Sequence, residues 1–255
     1  EPPERTKGGE GEHIDAYLES DLVDAVSPGD RVEISGIYRI EEPDNKTDRA
    51  FDTYIDAKAI EIEQADFDEI AVEGYVEEIE AIAAGEEGDP YDLLVESIAP
   101  KVFGYDDVKE AIVLQLFGGW RHKNPDGTFD RGDSHIFLVG DPGSGKSTIL
   151  RAVEDLAPRA VFTEGKGLTK AGATAAATRD DFGNTEWGLE AGVMVLANKG
   201  VACIDELDKV DDGAKESLHG ALESQRVNIN KAGINATLPA QTALLTAGNP
   251  SYGRF

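Results

Sequence analysis

The stretch Ile136-Phe137-Leu138-Val139-Gly140-Asp141-Pro142-Gly143-Ser144-Gly145-Lys146-Ser147 decides the fold of this chain. Its first four residues are apolar and predict a short strand. The next eight fit the pattern G-x-x-x-x-G-K-[ST] and lead into a helix-forming run from Thr148 to Ala157. A strand, a glycine-rich loop and a helix in this order are typical of a phosphate-binding loop. A glycine-rich turn that holds no ligand is the alternative, and the flanking strand and helix argue against it.

The chemistry of such a loop assigns expected roles to its residues. Backbone N–H groups wrap the α- and β-phosphates, and the start of the helix adds partial positive charge. Lys146 is expected to reach the β- and γ-phosphates, and Ser147 to ligate Mg²⁺. The predicted nucleotide contacts are therefore Gly140, Asp141, Pro142, Gly143, Ser144, Gly145, Lys146, Ser147 and Thr148.

Two further apolar runs end in polar residues. Val201 to Ile204 is followed by Asp205-Glu206, and Ala243 to Ala247 by Gly248-Asn249-Pro250. Open α/β sheets bind ligands beyond the carboxyl ends of their strands, so these residues are candidates for catalysis. We expect Asp205 to hold Mg²⁺, Glu206 to orient and deprotonate an attacking water, and the Asn249 amide to contact the γ-phosphate or the water. The alternatives are an acidic helix start and a simple turn.

The pattern of elements predicts two regions. Residues 1–66 look all-β, with strand patterns over Arg31 to Ile40 and Tyr54 to Ile62. Residues 67–88 look like an acidic linker that carries a helix. From Asp89 onward, helical patterns alternate with continuously apolar strands, which indicates a parallel α/β sheet covered on both faces.

The charge is strongly acidic and unevenly spread. The chain has 255 residues, with 51 acidic and 24 basic side chains and a net charge of −27. Residues 1–100 hold 30 of the acidic residues and 7 of the basic ones. A solvated surface is the simplest explanation, but so wide an excess with only 13 lysines indicates a halophilic source. An acidic surface also argues against binding of nucleic acids, because their phosphates are attracted by Lys and Arg. Any contact with DNA must therefore come from a few local cations.

Composition excludes several classes of protein. A hydrophobic fraction of 40% is enough for a buried core, in which Cys203 is expected to act as a small apolar residue. One cysteine and four scattered histidines predict neither a disulfide nor a structural zinc site. Without a long apolar run or a leader, the sequence predicts an intracellular protein with no membrane partner, cut at its N-terminus.

Several ordered motifs together resemble the MCM replicative helicases of archaea and eukaryotes, a branch of the AAA+ ATPases. Besides those above, they are Ser97-Ile98-Ala99-Pro100, Leu114-Gln115-Leu116-Phe117-Gly118-Gly119, Arg131-Gly132-Asp133, Thr163-Glu164-Gly165-Lys166-Gly167, Leu207-Asp208-Lys209 and Lys231-Ala232-Gly233-Ile234. The resemblance implies an α/β AAA+ P-loop ATPase core, a parallel sheet with flanking helices, preceded by part of an all-β OB-fold. In character the chain resembles a haloarchaeal MCM truncated at both ends, so that residues 89–255 lack the arginine finger and sensor 2.

The resemblance also assigns residues beyond the phosphate loop. Val102 and Phe103 are expected to pack around the adenine. One family hairpin is expected within Asp180 to Trp187. A second is supported by the residues themselves, because Val227, Ile229, Ile234, Ala236 and Leu238 alternate with polar neighbours. Lys231 near its tip is expected to touch the DNA backbone in the channel of a hexamer; a solvated turn lysine is the alternative.

The function implied is an ATP-dependent replicative DNA helicase motor that uses ATP and Mg²⁺, without zinc, on single- and double-stranded DNA. Its expected form is a homohexamer in the cytoplasm, associated with the nucleoid, and this chain alone is expected to be weakly active. One departure is Ser224, where the family has a glutamine thought to act on the neighbouring subunit's nucleotide. Two alternatives stay open: another AAA+ remodelling ATPase without DNA, such as a chelatase-like protein or a protein remodeller, and a non-catalytic ATP-binding assembly factor.

Overall fold

The computed structural model describes residues 14–19, 22, 26, 32–41, 52–62, 74–126, 128–179, 187–231 and 234–250. The chain divides into two compact units, residues 1–69 and residues 70–255. The helices are α1 (Val76–Ala83), α2 (Pro90–Ser97), α3 (Asp106–Phe117), α4 (Lys146–Leu156), α5 (Lys170–Ala173), α6 (Val193–Leu196) and α7 (Asp212–Ser224). The strands are β1 (Asp15–Tyr17), β2 (Val32–Glu41), β3 (Asp52–Ile62), β4 (His122–Lys123), β5 (Phe129–Asp130), β6 (Ile136–Val139), β7 (Ala160–Glu164), β8 (Ala175–Arg179), β9 (Trp187–Ala191), β10 (Val201–Asp205), β11 (Arg226–Lys231), β12 (Ile234–Pro239) and β13 (Ala243–Gly248).

The first unit contains a three-stranded sheet in which β3 lies between β1 and β2. Strand β2 runs antiparallel to β3 with a bulge between Ser35 and Gly36. A Cβ on Gly36 would lie 2.5 Å from the Asp56 carbonyl oxygen, which explains the glycine at the bulge. The two predicted strands of this region are therefore confirmed to within two residues. Its OB-fold topology and the predicted boundaries at residues 66 and 88 stay predictions, although α1 lies within the predicted linker.

The second unit is built on a parallel sheet in the order β6-β13-β10-β7. Cys203 of β10 pairs with Leu245 of β13 and with Phe162 of β7, so the three strands lie in register. The predicted parallel α/β core is confirmed, and its three apolar runs form β6, β10 and β13 with ends shifted by at most one residue. Strand β7 was not predicted from the sequence.

Alternate strand residues pack into two hydrophobic clusters on opposite faces of this sheet, as the period of a strand requires. Ala202, Ile204 and Leu244 belong to a cluster with residues of α6 and α7. Cys203 and Leu245 belong to a cluster with residues of α3 and α4. Burial raises the pKa of the Cys203 thiol to about 12, so this cysteine is a small apolar core residue, as predicted.

Strand β6 departs from the expectation of a fully buried strand. Its side chains alternate between half-buried and exposed, and Phe137 is 54% exposed. The reason is its position, because β6 is an edge strand of the described sheet and pairs with β13.

Two hairpins extend from this core. The first pairs β8 with β9 between the short helices α5 and α6. It was predicted within Asp180 to Trp187, but its paired strands reach from Ala175 to Ala191, and residues 180–186 lie outside the described residues. The second pairs β11 with β12, from the partners Arg226 and Pro239 at its base to Lys231 and Ile234 at its end. This confirms the predicted two-stranded ribbon.

In the part of the chain that the structure describes, none of the helices has the length and apolar character needed to cross a membrane.

Candidate nucleotide site

The site lies where three adjacent parallel strands end. Strand β6 leads into the phosphate loop, β13 ends at Gly248 before Asn249, and β10 ends at Asp205 before Glu206. Because β13 is hydrogen-bonded to both β6 and β10, these three carboxyl ends meet at one edge of the sheet. The fold therefore brings together polar residues that are more than 100 positions apart in the sequence.

The phosphate loop is shaped by two glycines with left-handed backbone conformations. Gly143 has φ +79° and Gly145 has φ +87°, values that side-chain-bearing L residues rarely adopt. Helix α4 begins immediately afterwards, at Lys146. The first N–H groups of a helix have no partner within the helix and carry partial positive charge, so the start of α4 favours an anion.

The ammonium group of Lys146 lies inside this loop. Its Nζ donates hydrogen bonds to the carbonyl oxygens of Gly140 and Asp141, at 2.7 Å and 2.8 Å, and to Ser144 Oγ at 3.3 Å. These contacts hold a positive charge beside the loop amides. Gly140 and Asp141 thus act on the site through Lys146.

The two predicted carboxylates differ in their surroundings. Asp205 Oδ1 accepts a hydrogen bond from the Glu206 amide at 2.8 Å, and the Asp205 carbonyl accepts one from Gly165 at 2.7 Å. Glu206 has φ +51°, a left-handed conformation that is uncommon for a residue with a side chain. A Cβ on Gly165 would collide with the Glu206 carbonyl oxygen, so the turn after β10 depends on that glycine.

Two residues that the sequence patterns gave only as part of a family motif, without a role, contact this site. Lys209 forms an ion pair with Glu206, and this hydrogen bond to Glu206 raises the pKa of Lys209 above its usual value. Asp208 Oδ1 accepts a hydrogen bond from the Asn249 amide at 3.0 Å and so ties the end of β13 to the turn after β10. The i,i+3 spacing of Glu206 and Lys209 could have predicted the first contact. No local pattern predicts the second.

The phosphate loop and the ends of β10 and β13 line one cavity of about 320 Å³, within the range of small-molecule sites. Its lining consists of Pro142, Gly143, Ser144, Gly145, Lys146, Ser147, Thr148, Asp205, Glu206, Gly248 and Asn249. Of the two residues expected around an adenine, Val102 lies beside Gly145, where its Cγ1 would be 3.4 Å from an added Cβ. Phe103 is 100% exposed, so its side chain contacts little of the chain.

The donor atoms in this cavity suit a magnesium ion. Ser147 supplies a hydroxyl and Asp205 a carboxylate, and Mg²⁺ prefers oxygen ligands from one or two protein side chains together with phosphate and water. Among the described residues, this site included, no group of three or more His, Cys, Asp or Glu side chains is arranged to hold a metal ion.

The predicted DNA contact lies apart from this cavity. Lys231 is the last residue of β11, is exposed, and pairs across the hairpin with Ile234. Ala232 and Gly233, the predicted tip, lie outside the described residues. The role of Lys231 stays a prediction.

Comparison with known proteins identifies the family. A family model described as the MCM P-loop domain matches residues 75–255, which is more than half of the chain. The chain belongs to the MCM family. A P-loop domain of this family implies nucleotide binding, in agreement with the cavity at the end of the sheet.

Three named MCM relatives match almost the whole chain. "Minichromosome maintenance protein MCM" of Saccharolobus solfataricus is 44% identical, over 100% of this chain and 37% of the relative. "DNA replication licensing factor MCM4" of Oryza sativa subsp. japonica is 40% identical, over 100% of this chain and 32% of the relative. "DNA replication licensing factor MCM7" of Arabidopsis thaliana is 42% identical, over 98% of this chain and 35% of the relative. The chain thus spans about a third of the length of these MCM proteins.

Proposed function

We propose that the protein containing this chain is an ATP-driven motor that unwinds DNA during replication. One observation carries the proposal: the phosphate loop, Asp205, Glu206 and Asn249 share one cavity in a chain of the MCM family. The names of the rice and Arabidopsis relatives, DNA replication licensing factors, support replication as the process.

In this proposal the loop amides and the start of α4 bind the phosphates of ATP, and Lys146 shifts from the loop carbonyls towards the β- and γ-phosphate oxygens. Ser147 and Asp205 would hold Mg²⁺, which when bound neutralises charge on those oxygens. Val102 and Phe103 are proposed to contact the adenine.

Water activation is assigned to Glu206. Its carboxylate would accept a proton from the attacking water, while the Asn249 side chain orients the γ-phosphate or that water. Lys209 and Asp208 act through their neighbours, because one pairs with Glu206 and the other holds the Asn249 backbone. Catalysis of phosphoryl transfer depends mainly on such positioning and on electrostatic stabilisation.

Single- and double-stranded DNA are the proposed substrates, and the β11–β12 hairpin is the proposed contact. Lys231 is exposed near its end, and a lysine there can neutralise a phosphate. In the family arrangement six copies form a ring, and we propose a homohexamer in the cytoplasm, associated with the nucleoid. The proposed parts of the chain are an OB-fold piece at 1–66, a linker at 67–88 and an ATPase core at 89–255.

The deciding experiment measures ATP turnover by the whole protein with and without single-stranded DNA, together with unwinding of a forked duplex. We expect DNA to stimulate turnover, and unwinding to require ATP and Mg²⁺. The Lys146→Ala variant serves as the control without nucleotide chemistry.

The other outcomes separate the alternatives. Turnover that ignores DNA, without unwinding, would favour a chelatase-like or protein-remodelling ATPase. Nucleotide binding without turnover would favour an assembly factor. Either result overturns the helicase assignment while leaving the nucleotide site intact.

A further inference from the structure

The segment between α3 and β6 is hydrogen-bonded to the carboxyl end of α7. Arg131 Nη1 donates a hydrogen bond to the Leu222 carbonyl at 2.6 Å, and Gln225 Nε2 donates to both carboxylate oxygens of Asp133, at 2.8 Å and 3.0 Å. We name the Asp133–Gln225 contact the clasp. Its two residues are 92 positions apart, so the contact reflects tertiary structure.

Gln225 occupies the corner where α7 becomes the hairpin. It has φ +54°, and its amide still bonds to the Ala221 carbonyl, so it ends the helix in a left-handed conformation. Its carbonyl accepts a hydrogen bond from the Ala240 amide at 3.0 Å, which closes the base of the β11–β12 hairpin. A non-glycine residue in this conformation persists when surrounding contacts hold it. The clasp is such a contact.

The other partner, Asp133, stands on an anchored loop. Gly119 donates its N–H to the Gly132 carbonyl at 2.6 Å, and a Cβ on Gly132 would collide with the Gly119 carbonyl oxygen. Gln115 Nε2, which is buried, donates to the carbonyls of Ser134 and Leu244, at 2.9 Å and 3.0 Å. The loop is therefore fixed to α3 and to β13 immediately before it enters β6.

The clasp gives the hairpin a second connection to the nucleotide site. One leg of the hairpin continues through residues 240–242 into β13, which ends beside Asn249. The other leg begins at Gln225, which the clasp joins to the loop that enters β6 and the phosphate loop. The clasp therefore adds a polar link to the apolar packing of Val227, Ile229 and Leu238 in the core cluster that also holds residues of β10 and β13.

We propose that Asp133 and Gln225 are positioning residues that couple the nucleotide site to the hairpin. This rests on the proposed function, because coupling is measured as DNA unwound per ATP hydrolysed. The contact is half-buried and involves a charged acceptor, the kind of hydrogen bond that contributes most. It acts on the hairpin rather than on the reacting atoms, so it affects coupling more than turnover.

The test uses the whole protein and reverses the polarity of the contact. In Gln225→Glu two carboxylates face each other, and we expect unwinding per ATP to fall by about tenfold or more, with ATP turnover changed less than about twofold. Adding Asp133→Asn restores a donor opposite a carboxylate, and we expect this double variant to recover most of the coupling. The matched control is Glu216→Gln, which changes an exposed charge on α7, the helix that Gln225 ends.

Thermal unfolding of each variant separates misfolding from uncoupling, and Gln225→Met replaces any Gln225→Glu protein that does not fold. Unwinding per ATP at the parent level in folded Gln225→Glu or Gln225→Met overturns the coupling role, as does a folded double variant that recovers nothing. Failure of the parent protein to unwind DNA overturns the proposed function, and the coupling role with it. The two failures are thus distinguishable.

Discussion

Glu206 is held by a lysine three positions away. The hydrogen bond with Glu206 raises the pKa of Lys209, and the charges of Glu206, Asp208 and Asp205 add to this effect against the cost of desolvation. The lysine therefore stays charged throughout the neutral range, and the pair persists there. The pair thus fixes the position of the carboxylate that we propose to orient the water, while Lys146 contacts the loop carbonyls.

Substitutions at these two residues should separate binding from hydrolysis. Lys146→Ala removes the charge beside the phosphates and is expected to abolish nucleotide binding or turnover. Glu206→Gln keeps the shape but cannot accept the water's proton, so we expect binding to persist and hydrolysis to slow by roughly 10²-fold or more. Nucleotide affinity and turnover measured for both variants test this. Hydrolysis by Glu206→Gln at the parent rate would contradict the role of Glu206.

His135 should add a small acid sensitivity to stability. Desolvation of its ring lowers its pKa, despite an opposing effect of Asp133 and with support from Arg131, and its Nδ1 accepts the Leu244 amide at 3.2 Å. Below the unfolded value of about 6.5 the unfolded chain binds the proton more readily, so this stability is lost as pH falls from there through the folded pKa. His135→Asn keeps an acceptor without titrating. Urea unfolding measures the free energy of unfolding at about pH 5 and about pH 8, and we expect the difference between the two to be smaller in the variant. Equal differences in the parent and the variant would refute this.

Among the elements, the β11–β12 hairpin has one packed side and one polar side. Val227, Ile229 and Leu238 are buried in the core cluster. On the polar side, Thr237 Oγ1 donates to Asn228 Oδ1 across the strands at 2.7 Å. Burial of one side fixes the register of the two strands and therefore the place of Lys231 at their end.

Removing the charge of Lys231 should weaken DNA binding and unwinding without affecting nucleotide binding. In the whole protein we expect Lys231→Ala to reduce unwinding and to lower the magnitude of the log–log salt slope of single-strand binding, by about 0.7 for each phosphate that is no longer neutralised. Nucleotide affinity and thermal stability should change little, because Lys231 lies outside the nucleotide cavity. DNA titrations at several KCl concentrations measure the slope, with Lys215→Ala on α7 as the control. Unchanged unwinding would return Lys231 to a solvated turn residue.

The elements that the sequence predicted well are those with a local signal. Strands β6, β10 and β13 are apolar runs that end in glycine or acidic residues, and their positions are correct. The hairpin at β8 and β9 was predicted too short, because the alanine-rich residues around Ala175 have no strand pattern of their own and become a strand by pairing with β9.

The candidate site follows the same division. The loop at Gly140 to Thr148 and the carboxylates after β10 were proposed from motifs; residues 142–148, Asp205 and Glu206 line one cavity, whereas Gly140 and Asp141 contact Lys146. The contacts of Asp208 with Asn249 and of Asp133 with Gln225 join residues that are 41 and 92 positions apart. No period or spacing in a single sequence encodes such pairs, since they depend on which strands become neighbours.

For the whole molecule, the charge of −27 is the dominant electrostatic feature. Helix α1 illustrates it, because Glu77, Glu78 and Glu80 are exposed and its last turn has no basic residue. Like charges on one surface repel each other, and dissolved ions screen this repulsion over a Debye length of about 10 Å at 0.1 M and about 3 Å at 1 M. The halophilic source inferred from composition stays a prediction.

Salt should therefore stabilise the fold. We expect the thermal midpoint to rise between about 0.1 M and about 1 M KCl, and to rise less in a variant with Glu77, Glu78 and Glu80 all changed to Gln. Thermal unfolding over a series of KCl concentrations measures both. A midpoint independent of salt in the parent chain would show that repulsion among surface carboxylates does not limit its stability.

The burial of Cys203 has a practical consequence for attaching labels to the hairpin. It is the single cysteine of these 255 residues, it is fully buried, and its raised thiol pKa leaves almost no thiolate at neutral pH. A maleimide fluorophore should therefore ignore the native thiol and react with cysteines introduced on exposed hairpin positions such as Asn228 or Asn235. Within this chain, dyes can therefore be attached to the hairpin without first replacing a core residue.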